Sequence, residues 1–171
     1  DEGLVARRHG AGSFVARPLA HPASVLIGFT DDMQRRGAQA ASRTIRKAVG
    51  LPDPSEMLKL GLSPADRVLR LSRVRLSDGE RLAIEHAVVP AWALPSPAVG
   101  ASLYGALAAQ GNMPVRALQR VQAGIALPDE AALLDLAPGD PVMRIERRSF
   151  LANGRPIEVT VSAYRGDRYD F

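Results

Sequence analysis

Arg73 and Arg75 are the residues of this chain whose type and spacing most clearly suggest chemistry. They stand two apart in residues 67–90, where Val, Leu and Ile alternate with polar residues on both sides of Ser77-Asp78-Gly79, the pattern of a β-hairpin. Residues two apart in a strand leave the same face of the sheet. Two adjacent guanidiniums repel unless an anion or carboxylates lie between them, and their forked donors match phosphate and carboxylate oxygens. Without further information, the commoner reading is a solvated sheet face paired with Glu80 or Glu85, contributing about 0–1 kcal/mol. Register offers a geometric check. A three-residue loop Ser77-Asp78-Gly79, with Gly79 left-handed, puts Glu85 on the face of both arginines; a two-residue turn puts it on the other. A shared site therefore predicts the odd-length loop.

Glu158, Thr160, Ser162 and Tyr164 form an alternating polar row, opposite Ile157, Val159 and Val161, near the end of the chain. Such a row commonly faces solvent, but one that ends in Tyr and shares a sheet with two arginines and Glu85 reads as the wall of a cleft. Ser102 opens an Ala-rich helical stretch, residues 101–110, where an ordinary N-cap is the simplest role. Tyr104 reads equally as core or as a ligand contact. His9, His21 and His86 lack metal-ligand spacing, so no metal is expected. No Ser–His–Asp arrangement, P-loop or dinucleotide glycine fingerprint is present, and no cofactor is expected.

These residues need a scaffold, and 171 residues suffice for one domain, or one domain and a fragment, with a real core. A hydrophobic share of 46% and a charged share of 23% argue for a globular rather than a disordered chain. The absence of cysteine excludes disulfide scaffolds and makes a reducing cytoplasm the expected location. No apolar run approaches the roughly 18 residues of a membrane span. The net charge of +4, carried almost wholly by arginine, permits an anionic partner.

In chain order, residues 1–16 form two β-type runs about a basic, Gly-rich tip and read as the tail of an upstream domain. Residues 17–24, with two prolines, read as a linker. Residues 25–171 form the main domain. It opens with a helix N-capped by Thr30 and stopped by Gly37, then a strand over 42–50 and a short helix over 54–61. After the hairpin and the Ala-rich helix, a strand is expected over 115–127. Residues 127–140 then repeat the plan of 51–66, residues 142–148 that of 68–74, and Asn153-Gly154 replaces Asp78-Gly79 one position later. Two helix–turn–hairpin units predict an α+β fold, a pseudo-symmetric antiparallel sheet with short helices packed on it, and a cleft between the halves. The second copy has Arg147-Arg148 instead of the Arg-x-Arg spacing, so the anion is expected in the first half only.

Residues 3–15, with Gly10-Ala11-Gly12-Ser13-Phe14-Val15, resemble the wing hairpin of the winged helix-turn-helix of GntR-type transcription regulators. From residue 25 onward the chain resembles the UTRA effector-binding domain of the HutC subfamily. The matching pieces are Phe29-Thr30-Asp31-Asp32-Met33, Arg73-Val74-Arg75, Asp78-Gly79-Glu80, Ile84-Glu85, Ser102-Leu103-Tyr104, Ile157-Glu158 and Tyr164-Arg165-Gly166-Asp167-Arg168-Tyr169. The resemblance implies a chorismate-lyase-like fold that binds a small anionic metabolite, such as a phosphosugar or a carboxylate, and relays it to a homodimeric head on operator DNA. It implies that Arg73 and Arg75 grip the anion beside Ser102, Tyr104, Phe29 and Thr30, while Glu85, Glu158 and Tyr164 hold ligand hydroxyls or an amine. Arg7, Arg8, His9 and Gly10 are the wing residues that would approach DNA; Ala11 stands where the family often has lysine. The competing reading is a chorismate-lyase-like or sugar-phosphate enzyme with Glu85 or Glu158 as general base.

Overall fold

The computed structural model describes residues 5–8, 12–15, 27–95 and 99–169. The first two stretches are strands β1 (Val5–Arg8) and β2 (Gly12–Val15), paired antiparallel as the expected hairpin. His9, Gly10 and the linker 17–24 lie outside the described residues.

The main sheet grows out of two copies of one local plan. The first runs α1 (Phe29–Arg35), β3 (Ala40–Gly50), α2 (Pro54–Leu60), β4 (Val68–Ser77) and β5 (Glu80–Pro90). The second runs α3 (Leu103–Ala109), β6 (Arg116–Ile125), α4 (Pro128–Leu134), β7 (Pro141–Phe150) and β8 (Pro156–Arg165). The strands form one antiparallel sheet in the order β3-β4-β5-β8-β7-β6, so the copies meet at β5 and β8. The repeat thus includes the helix and edge strand that precede each expected unit.

Corresponding contacts hold the two copies. Asp53 caps α2, accepting from the Glu56 amide at 2.8 Å while the Glu56 carboxylate accepts from the Asp53 amide at 2.8 Å, a complete capping box. Glu56 also takes Arg70, whose guanidinium reaches the Leu51 carbonyl at 2.8 Å. In the second copy Glu130 takes Arg144 at 2.8 Å, and Arg144 donates to the Ile125 carbonyl at 2.8 Å. Here the box is half made: Glu130 accepts from the Leu127 amide at 2.9 Å, but leucine offers no acceptor in return. Gly61 ends α2 in the left-handed region at φ 63°, and Asp135 does the same for α4 at φ 56°.

Strand alternation divides the core. Under α2, Leu60 packs with Val68 and Val159; under α4, Ala131 packs with Val142. On the other face α1 buries Phe29 and Met33 against Ala83, Ile145 and Tyr164, while α3 buries Leu103, Tyr104 and Leu107 against Leu69, Val89 and Ile157. That second face carries the polar row.

Two local expectations are corrected. Thr30 is not the N-cap of α1. Gly28 takes that position with extended backbone, Phe29 is the first helical residue, and the Thr30 hydroxyl accepts from Arg75 at 3.3 Å instead. The β4–β5 turn is the two-residue Asp78-Gly79, both left-handed at φ 50° and 83°, with Ser77 opposite Glu80. A plain ladder from that turn would place Glu85 on the wrong face. Leu82 is an extra residue on β5: Leu76 faces Arg81 but Arg75 faces Ala83, and this bulge restores the parity. Arg73 therefore faces Glu85 directly. The expected shared face is present, produced by a bulge rather than by an odd loop. Hairpin β7–β8 has the same device, with Ile157 left over between the Phe150–Pro156 and Ser149–Glu158 pairs.

Candidate ligand-binding site

On the α1/α3 face the sheet floors a cavity of about 550 Å³. All nine residues expected to contact a ligand line it: Phe29, Thr30, Arg73, Arg75, Glu85, Ser102, Tyr104, Glu158 and Tyr164. The strand pairings explain the convergence. Arg73, Glu85 and Ser162 stand side by side across β4, β5 and β8, and Arg75, Ala83 and Tyr164 form the next row. Leu71, Ala87, Thr160, Arg147 and Gln119 form a third row across five strands.

The two arginines are not equivalent. Arg73, with 3% of its side chain exposed, is neutralised by Glu85, which accepts from both Nε, at 3.1 Å, and Nη2. Arg75 is equally buried, but among the described residues no carboxylate pairs with it. Its Nη1 donates to the Ala101 carbonyl at 3.1 Å, its Nη2 reaches Thr30, and its guanidinium carbon stands 4.3 Å from the centre of the Phe29 ring. Its Nε is buried without any acceptor. Burial pulls the Arg75 pKa down to about 10, with Glu85 opposing the drop and Arg73 adding to it. At neutral pH it remains a cation with a donor to spare.

On β8 the Glu158 carboxylate is held by three hydroxyls. Tyr104 donates to its Oε2 at 2.8 Å and Ser149 to the same oxygen at 2.6 Å, while Thr160 donates to Oε1. Burial, then Glu158, pushes the Tyr104 pKa up, so its hydroxyl keeps its proton. Burial and Glu85 do the same for Tyr164, whose ring lies 4.3 Å from that of Tyr169. Ser102 borders the cavity, yet its Oγ accepts from the Gly105 amide at 3.0 Å, so capping α3 is its visible role.

The sequence reading missed several lining residues, Arg147 chief among them. The second repeat does supply a guanidinium, at the position that Arg73 holds in the first; the repeat itself was the available signal. Arg35, Arg36, Arg116 and Gln119 also line the cavity, and nothing local in the sequence marks them. Among the described residues that line the cavity, Arg35, Arg36, Arg73, Arg75, Arg116 and Arg147 stand with three acids, Asp32, Glu85 and Glu158, in a half-enclosed space of mixed polar and apolar lining. Such a space can hold a small anion whose remaining surface offers hydroxyls to Glu158, Thr160 and Ser162. Among the described residues no cluster could hold a metal ion, and no helix is long and apolar enough to cross a membrane.

The model of the UTRA domain matches residues 35–170. The chain belongs to the UTRA-domain family. It is 35% identical over 178 residues to the HTH-type transcriptional repressor NagR of Bacillus subtilis, covering all of this chain and 72% of that protein. It is 29% identical over 173 residues to the HTH-type transcriptional regulator GgaR of Escherichia coli, covering all of this chain and 69% of that one. The crystal structure of the effector domain of PhnF from Mycobacterium smegmatis superposes with a TM-score of 0.80 at 28% identity, over 86% of this chain and 94% of that one. This UTRA domain is therefore a ligand-binding effector domain of the GntR-family transcription regulators. Its relatives are regulators rather than enzymes, which removes the reading of Glu85 or Glu158 as a catalytic base.

Proposed function

We propose that this UTRA domain senses a small anionic metabolite, a phosphosugar or a carboxylate, in a GntR-family repressor of the HutC type, and that occupancy controls operator binding by the DNA-binding head. The observation that carries this reading is Arg75: a buried guanidinium with no carboxylate of its own and an unsatisfied Nε. Leaving such a donor unmade is expensive in a folded protein, and an anion in the cavity would satisfy it. Phe29, Thr30, Arg73, Arg75, Ser102 and Tyr104 would surround the anion. Glu85, Glu158 and Tyr164 would accept from or donate to the ligand's hydroxyls or amine. Hairpin β1–β2 would be the end of the wing, with Arg7, Arg8, His9 and Gly10 toward DNA. The expected working form is a homodimer, since a reader of two operator half-sites shares their two-fold symmetry.

The ligand must bind one arrangement of the domain better than another, or it shifts nothing. The segment from the linker through α1 is the proposed moving piece. Thermal-shift and calorimetric screening of phosphorylated sugars and small carboxylates tests the reading, with Arg75→Gln as the paired variant. A compound that raises the Tm of the wild type but not of the variant is expected. If no anion raises it, or both proteins respond alike, the anion site is refuted and a purely dimerising module becomes the better description.

A further inference from the structure

Ile27 and Gly28 bring the chain into α1 directly over the cavity, and the contacts there come from cavity residues. Arg147 Nη1 donates to the Ile27 carbonyl at 3.0 Å, while its Nε donates to Gln119 Oε1 at 2.9 Å. Gly28 lies so close to the Tyr104 ring that a Cβ there would meet Cδ2 at 3.2 Å. The Gly28 carbonyl in turn accepts the Asp32 amide at 2.9 Å, the first bond of the helix. The Arg147 guanidinium is half-buried beside Tyr104 and Glu158. A guanidinium has five N–H donors; the bonds to Ile27 and Gln119 use two, and the Tyr104 hydroxyl stands within hydrogen-bonding reach of the same group.

We propose that Arg147 is the positioning residue that couples the cavity to the chain entering α1, by bridging the bound anion and the Ile27 carbonyl. This rests on the reading of the cavity as an anion site. Its remaining donors can serve an anion without releasing Ile27 or Gln119. An anion that orients the guanidinium thus strengthens its hold on the backbone ahead of α1. Coupling is reciprocal: if the anion favours the docked segment, the docked segment favours the anion by the same factor. Arg73 cannot take this part, because its described bonds go to Glu85 and the Ala101 carbonyl. Arg75 grips the helix through the Thr30 side chain, further along the segment.

Hydrogen exchange read by mass spectrometry over residues 27–37, with and without saturating inorganic phosphate, tests the bridge in wild type, Arg147→Gln and Arg147→Lys. Phosphate affinity is measured in parallel by calorimetry, with exposed Arg120→Gln as control. Phosphate is expected to slow exchange of the Asp32–Arg36 amides at least fivefold in the wild type and in the control. Arg147→Gln should bind phosphate within about tenfold of wild type yet lose most of the slowing, and lysine should restore part of it. Gly28→Ala, which pushes the segment off Tyr104 without touching Arg147, should also reduce the slowing. Undiminished slowing in Arg147→Gln, or faster exchange on adding phosphate to the wild type, overturns the bridge while leaving the anion site standing. No phosphate binding to the wild type overturns both.

Discussion

Replacing Arg75 by methionine separates a ligand-gripping arginine from a structural one. In the ligand-free protein the buried charge is a liability. The drop in its pKa from the ordinary guanidinium value to about 10 corresponds to about 3 kcal/mol of disfavour for the charged form relative to the unfolded chain. Against this stand the bonds to Ala101 at 3.1 Å and Thr30 at 3.3 Å, both long and so at the low end of charge-assisted bonds, about 1.5 kcal/mol each, and the contact with Phe29, at about 1 kcal/mol. These nearly cancel. Methionine fills much of the same space without a charge, so Arg75→Met should change stability by no more than about 1 kcal/mol, a Tm shift of about 2–4 °C in either direction. The anion should then lose two charge-assisted bonds of about 1.5–3 kcal/mol each, weakening its binding by roughly a hundredfold or more. Differential scanning calorimetry and titration with an anionic ligand read both quantities on the same sample. A variant that melts more than 10 °C below the wild type, while binding the anion normally, would refute the reasoning and make Arg75 a structural residue.

Glu85→Ala strands the Arg73 guanidinium in the core and should cost about 3–5 kcal/mol in denaturant titration, with sulfate recovering part of it; a loss under about 1 kcal/mol would show that the pair is not the chief partner of Arg73. Leu127→Asp completes the half-made capping box of α4 and should add about 1 kcal/mol, raising the Tm by about 2–4 °C, whereas an unchanged Tm would contradict the pairing of the two repeats. Sulfate affinity should be flat from pH 6 to 9 and fall only above about 10, where Arg75 loses its proton, as followed by calorimetry. A phosphomonoester should bind more tightly as pH rises through about 6, where its second proton leaves. The stability contribution of Arg75 has its own sign: the unfolded chain keeps that proton to a higher pH than the folded one, which holds it only to about 10, so stability rises with pH above about 10.

The scaffold was legible because it is written in local signals. Gly61 after α2, Asp78-Gly79 between alternating runs and the repeat of residues 51–76 in 127–150 each state their conformation within a few positions. Thr30 was misread because its partner, Arg75, is remote in sequence and the helix start shifted two residues to Gly28. The bulge at Leu82 leaves no mark in composition, since Arg81-Leu82-Ala83 fits an ordinary strand equally well. It is fixed by packing: Leu82 and Ala83 are both buried in the cluster that holds Phe29. Arg147 escapes a search for the Arg-x-Arg motif, because the fold supplies the cavity with guanidiniums from four separate elements, α1, β4, β6 and β7, and from the α1 C-cap, including Arg35, Arg73, Arg116 and Arg147.

The contact between β5 and β8 carries a consequence for how the molecule folds. Within the sheet, Ala83–Val88 and Val159–Tyr164 zip the two half-sheets together, and they are far apart along the chain, so this junction closes late and against loop-closure entropy. Arg73, Arg75 and Glu85 come from one side of it, and Glu158, Thr160, Ser162 and Tyr164 from the other. A molecule seated among them acts as a rivet across the joint. Unfolding in its presence should become more nearly all-or-none, and partial separation of the halves should be suppressed before any single helix is protected.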